Sequence, residues 1–202
     1  MSKGTQTRER IVYRALRLAS RDGLAGLTIG SLADELAMSK SGLFAHFRSK
    51  DELQRQVLEA AVAQFVETVV RPALAQPRGI PRLRALIENW LAWGRDAQRL
   101  PGGCIFVAAA IELDDRPGPL RDYLVGMQRD WLATLARAAD VAVAEGHLRP
   151  DLDREQLAFE IYALMLGHHH QWRLLGDARA LDRLRVAIDR LLDAAAAAPA
   201  RP

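Results

Sequence analysis

The 202-residue sequence has a single cysteine, Cys104, which excludes an intramolecular disulfide framework and fits a reducing cytoplasm. It has no apolar run near the roughly 18–20 residues that a membrane span requires. The longest is Cys104–Ile111, closed by Glu112. The opening MSKGTQTRERIVYRALR is charged throughout and lacks the apolar region of a signal peptide. No stretch alternates apolar and polar residues between turns, so strands are not expected. Nucleophile–base patterns, phosphate-binding glycine loops and paired catalytic carboxylates are missing too, and no internal repeat is visible. Lysine is confined to Lys3, Lys40 and Lys50, and none follows.

What is present is helical periodicity and an uneven charge. Residues 1–50 hold nine Lys/Arg against four acids, a net +5, while the other 152 residues hold 19 against 21, a net −2. A basic head on a near-neutral body predicts a polyanionic partner for the head. The spacing predicts about nine helices. The first spans 7–21 with Ile11, Ala15, Leu18 and Ala19 on one face, and Gly23 ends it. Thr28 caps a short helix with Leu32, Ala33 and Leu36 inward, and Ser39 caps another that reaches about His46. Ser49 and Glu52 have capping-box spacing and open a helix to about Val70. Pro72, Pro77, Gly79 and Pro81 then break the chain. Further helices are expected at about 81–98, 103–114, 117–146, 152–175 and 177–197. The tail DAAAAAPARP is low in complexity and expected to fray after Pro199.

Three short helices joined by tight turns make a helix-turn-helix arrangement. In ELAMSKSGLFAHF, residues 35–47, the spacing assigns Leu43, Phe44 and Phe47 to hold the third helix from behind. Ser39, Lys40, Ser41 and Gly42 form its small, polar N-terminal tip. Free backbone N–H groups there favour phosphate, and serine and lysine offer donors to base edges.

The segment GLAGLTIGSLADELAMSKSGLFAHFRSKDEL resembles the DNA-binding domain of the tetracycline-repressor-like (TetR) family of bacterial transcriptional regulators. The matching positions are Gly23, Thr28, Leu32-Ala33, Leu36-Ala37-Met38-Ser39, Phe44-Ala45-His46-Phe47 and Lys50 through Leu53, about 45 residues in all. The resemblance implies phosphate contacts from Thr28, Lys40, His46 and Lys50, with Ser39, Ser41 and Gly42 facing the groove. Two positions depart from the family pattern. Ala37 stands where glycine is usual in a turn that often needs positive φ, so a reshaped turn is expected. Phe44 replaces a tyrosine whose hydroxyl touches phosphate, which removes that contact and turns Phe44 toward packing, though it stays among the DNA-binding candidates with Thr28, Ser39, Lys40, Ser41, Gly42, His46 and Lys50.

The resemblance also implies a homodimer that binds a small molecule in its body. The helices at about 152–175 and 177–197 carry Leu157, Ile161, Leu164 and Met165, then Leu181, Leu184, Ile188, Leu191 and Leu192, and are assigned to an intersubunit four-helix bundle. Candidate ligand-lining residues are Phe65, Trp90, Trp93, Phe106, Tyr123, Met127 and Trp131, with Cys104 at a helix start and His169 inside His168-His169-His170. Consecutive histidines on a helix point about 100° apart and cannot converge on one metal ion. No metal or other cofactor is expected.

These readings predict an all-α protein: residues 1–50 a three-helix DNA-binding domain, residues 51–202 a helical ligand-sensing and dimerisation domain. The expected function is a cytoplasmic, ligand-responsive homodimeric regulator of transcription, a repressor released from double-stranded operator DNA by a small apolar molecule, with no enzymatic or membrane role. The competing reading is a helical-bundle enzyme or small-molecule carrier with an incidental basic head. A helix-turn-helix adapter for RNA or another protein is the third.

Overall fold

The computed structural model describes residues 3–198; the tail beyond Ala198, and with it the expected fraying after Pro199, lies outside the described residues. The helices are α1 (Lys3–Gly26), α2 (Ile29–Leu36), α3 (Lys40–Phe44), α4 (Lys50–Phe65), α5 (Arg71–Leu74), α6 (Ile80–Arg95), α7 (Ile105–Leu113), α8 (Pro119–Ala144), α9 (Arg154–Arg173) and α10 (Ala180–Ala195). A π-helical stretch, Val66–Val70, joins α4 to α5 without a gap, so the described residues form nine continuous helical segments and no strand. The fold is all-α, as the sequence predicts.

The predicted caps form. Thr28 and Ser31 exchange side-chain and backbone bonds at the start of α2, the Ser39 hydroxyl accepts from Gly42 N, and the Ser49 hydroxyl accepts from Glu52 N. Glu52 does not return a bond to Ser49. Its carboxylate takes the Arg48 amide at 2.9 Å and the Arg8 guanidinium at 2.8 Å, which hold its pKa below the usual range, the Arg48 amide foremost. Gly23 has φ 79°, so the helical path of α1 is interrupted there and resumes for one short turn to Gly26.

Two expectations are corrected. The helix from Lys50 does not stop before Pro72. Proline has no N–H and its ring crowds the carbonyl four residues back, and the chain widens into the π stretch instead of breaking. The turn at Ala37 is not reshaped: Ala37 itself adopts the left-handed conformation, φ 50° and ψ 41°, with its N–H directed to Ala33 O and Asp34 O. It is the one non-glycine with positive φ among the described residues. Replacement by glycine removes left-handed strain of about 1–2 kcal/mol, against an unfolded-state entropy penalty of about 0.4–1 kcal/mol. Ala37→Gly is therefore expected to raise the unfolding midpoint by roughly 1–3 °C. Thermal unfolding followed by circular dichroism measures this, and a lower midpoint contradicts the strain.

The chain divides into two compact units. The first contains the residues up to Glu67 together with Trp93–Met127. Here α1 packs on α4, α7 and α2, and α2 packs on α3, around fully buried Ala15, Leu16, Leu32, Leu43, Phe47, Leu53 and Val57. The second contains Thr68–Ala92 and the residues from Gln128 onward. Here α9 packs on α10, and Arg84–Asp189 and Glu88–Arg185 ion pairs join α6 to α10. Of the apolar residues assigned to an intersubunit bundle, Leu157, Ile161, Met165, Leu184, Ile188 and Leu192 are buried in this unit's own core. An apolar helical stripe serves its own domain and a partner equally well, so spacing alone could not separate the two.

Candidate nucleic-acid interface

The interface residues converge at the α2–α3 turn. Lys40, the first residue of α3, runs its side chain beside Gly30 near the start of α2: a Cβ on Gly30 would lie 3.8 Å from Lys40 Cε and 3.6 Å from Thr28 Oγ1. The structure thus brings Thr28 and Lys40 together, both exposed. Ser39 uses its hydroxyl as the α3 cap, 3.1 Å from the Ser41 hydroxyl, so Ser41 and Lys40 are the outward-facing donors of the tip. A Cβ on Gly42 would sit 3.1 Å from Ser39 Oγ, so the cap fits closely around a residue without a side chain.

Behind the tip, Leu43 and Phe47 are fully buried, with the Arg8 guanidinium 5.1 Å over the Phe47 ring. Phe44 is not part of this packing. It is 55% exposed, which corrects its assignment as a packing residue. One residue after Leu43 is 100° further round the helix, and Phe44 shares the outward side with Lys40, four residues earlier. His46 is half-buried, its ring 6.4 Å from that of Phe47. Lys50 donates to Ala25 O at 2.8 Å. It braces the end of α1 and keeps two further N–H donors for a phosphate.

The last turn of α1, which leads into α2, is held by residues distant in sequence. The Ser20 hydroxyl donates to Gly103 O at 3.0 Å and accepts from Gly102 N at 3.1 Å. Across the Gly23 interruption, the Glu112 carboxylate accepts from Leu24 N at 3.0 Å and Ala25 N at 2.7 Å. Gln54 of α4 donates to Leu24 O. Ser20, Gln54, Gly102 and Glu112 carry no motif, and no sequence signal pointed to them.

α7 lies between the two holds, with Gly102-Gly103 before it and Glu112 near its end. Its Phe106 joins Phe65 and Trp93 in one cluster: Phe65 meets both other rings edge-on at 5.7 Å, and Trp93 stacks on Phe106 at 6.2 Å. Cys104 is buried beside Trp93, and burial pushes its thiol pKa up, the opposite of an activated thiolate. Tyr123 lies under the Arg55 guanidinium, 3.8 Å from its ring centre. Of the nine ligand candidates, Phe65, Trp93, Cys104 and Phe106 are therefore together, and Tyr123 and Met127 lie in the same unit. Trp90, Trp131 and His169 belong to the other. There His168 stacks on Trp172 and His169 meets it edge-on, while His170 is exposed. Burial chiefly, then the nearby Arg173, His168 and His170, lower the His169 pKa.

Residues 11–57 match the family model described as bacterial regulatory proteins, tetR family, and residues 79–188 match the model described as tetracyclin repressor-like, C-terminal domain. The HTH-type transcriptional repressor DhaR of Mycobacterium sp. (strain GP1) is 22% identical over 190 residues, 93% of each chain. The HTH-type transcriptional regulator TcmR of Streptomyces glaucescens is 27% identical over 192 residues, 93% of this chain and 82% of the relative. A crystal structure of a TetR transcriptional regulator from Chloroflexus aurantiacus superposes with a TM-score of 0.84 at 27% identity, covering 96% of both chains.

Proposed function

The chain belongs to the TetR family of bacterial regulatory proteins, and on that premise we propose that it is a homodimeric repressor released from its operator by a small apolar molecule. The family consists of transcriptional regulators rather than enzymes, and its members bind operator DNA and small-molecule effectors. The name of DhaR supports the repressor reading. In this reading residues 1–50 bind double-stranded DNA in the cytoplasm, and residues 51–202 sense the effector and dimerise.

The observation that carries the proposal is the position of α7. It belongs to the same compact unit as the DNA-binding helices, contributes Phe106 to the aromatic cluster, and is hydrogen-bonded at both ends to the last turn of α1. An apolar molecule entering between Phe65, Trp93 and Phe106 has to part rings now 5.7–6.2 Å apart. Displacement of α7 then moves Gly102-Gly103 and Glu112, and with them the hinge at Gly23. The effector acts by binding the displaced conformer better than the DNA-competent one.

For dimerisation, support comes from the outward sides of α9 and α10. Phe159 and Val186 are exposed there, and Ala163 and Gly167 follow Phe159 at four-residue steps, leaving room for a close helix approach. A twofold dimer sets its two α3 helices in successive major grooves about one helical turn apart. The test is fluorescence anisotropy with the DNA upstream of the protein's own gene. Saturable binding by a dimer, in preference to unrelated duplex at the same salt, is expected, with tryptophan emission changing as an apolar compound displaces the DNA. Equal affinity for every duplex, or a monomer by light scattering at micromolar concentration, rules the proposal out.

A further inference from the structure

We infer that Phe44 is a sequence-reading residue that packs on the C5-methyl group of a thymine in the operator's major groove; this rests on the DNA-binding reading above. Phe44 has no hydroxyl, so it can neither donate to a phosphate nor accept from a base amine. Nor is it a core residue: the α3 core is Leu43 and Phe47, and more than half of the Phe44 side chain is open to solvent. A phenyl group left exposed on a five-residue helix, four residues after Lys40 and three after Ser41, can take an apolar partner on whatever that face meets.

That partner follows from the charge around it. The head carries a net +5, and Lys40 and Ser41, four and three residues before Phe44 on the same short helix, are exposed as it is, so the face is complementary to a polyanion with hydrogen-bonding edges. On the major-groove edge of a base pair the apolar group available to a side chain is the thymine methyl. Lys40 and Ser41 supply hydrogen-bonding contacts, and Phe44 adds discrimination for T over C, A or G at one position in each half-site. The other apolar surface that DNA offers, the sugar edge, carries no sequence and is the alternative occupant.

The experiment selects binding sites from random-sequence duplexes with the full-length protein, then replaces each thymine of the selected site by deoxyuridine, which lacks only the methyl. One position per half-site is expected to be sensitive, weakening wild type about fourfold per methyl and about fifteenfold when both half-sites are changed. Phe44→Ala is expected to bind the thymine and uracil duplexes equally, and Phe44→Leu to keep part of the difference. Because Phe44 is exposed, both variants should unfold at the wild-type temperature, which separates lost reading from lost folding. If wild type selects a site in which no thymine is sensitive to uracil, or if Phe44→Ala keeps the sensitivity, the inference fails while DNA binding stands. A uniform loss by Phe44→Ala on every sequence assigns the ring to the sugar edge and also overturns it. If wild type selects no sequence, the DNA-binding reading falls, and this inference with it.

Discussion

Gly102→Ala is expected to lower the unfolding midpoint by roughly 6–12 °C, the equivalent of about 3 kcal/mol. A Cβ at this position would lie 1.6 Å from the Ser20 carbonyl oxygen, 2.3 Å from its carbon and 2.7 Å from Arg21 Cα. All three are backbone atoms, so no rotamer change makes room. The loop before α7 and the C-terminal turn of α1 have to move apart, and the Ser20 hydroxyl then loses its bonds to Gly102 N and Gly103 O in a buried setting. Gly126→Ala is the control, since Gly126 lies in α8 with nothing within 4 Å of the added carbon. Its midpoint should not fall, because alanine favours a helix interior over glycine. Thermal unfolding by circular dichroism compares the two. A Gly102→Ala midpoint within a degree of wild type means that the two backbones do not approach as closely as described.

That approach shows what the sequence could and could not disclose. Thr28, Ser39, Ser49 and Gly23 were legible because capping and helix termination are settled within three or four residues. The α2–α3 turn was legible in position but not in conformation. Ala37 has the backbone of a glycine without being one, and the bonds of the Ala37 and Met38 N–H groups to the Ala33 and Asp34 carbonyls close the turn around it. Phe44 was misassigned because a five-residue helix carries too few turns for its apolar side to be told by spacing. Leu43 and Phe47 are sufficient to hold it, and a third apolar neighbour reads as more of the same. The π stretch at Val66–Val70 escaped for a related reason: Pro72 marks a disturbance, but a widened helix and a broken one begin with the same residues. The contacts at the end of α1 had no local signature at all. Ser20 meets Gly103 across 83 positions and Leu24 meets Glu112 across 88. In the sequence Glu112 closes an apolar run and reads as a solvated helix end.

Glu112→Ala is expected to weaken operator binding about 30-fold, a cost of about 2 kcal/mol, the range for hydrogen bonds to a charged group. The carboxylate spans the Gly23 interruption by accepting from two successive amides, Leu24 N and Ala25 N, just where the helical bonding of α1 has failed. Ala25 N is exposed and water replaces its partner, whereas Leu24 N is half-buried, so most of the loss falls on the latter. The wild-type Glu112 side chain also occupies the space beside Gly23, with its oxygen 2.3 Å from where a Cβ would stand, so the turn relaxes into that space when the side chain is removed. Glu112→Gln keeps an oxygen acceptor but not the bidentate charge, and its affinity should fall between the two. Amide hydrogen exchange at Leu24 and Ala25 should quicken in the same order. Circular dichroism should change little, because α9 and α10 pack in the other unit. The decisive measurement adds an apolar effector identified with wild-type protein. If effector and mutation release the same hinge, their effects are not additive: an effector that costs wild type its DNA costs Glu112→Ala little more. Full additivity, or unchanged operator affinity in Glu112→Ala, means that α7 does not control the head through Glu112.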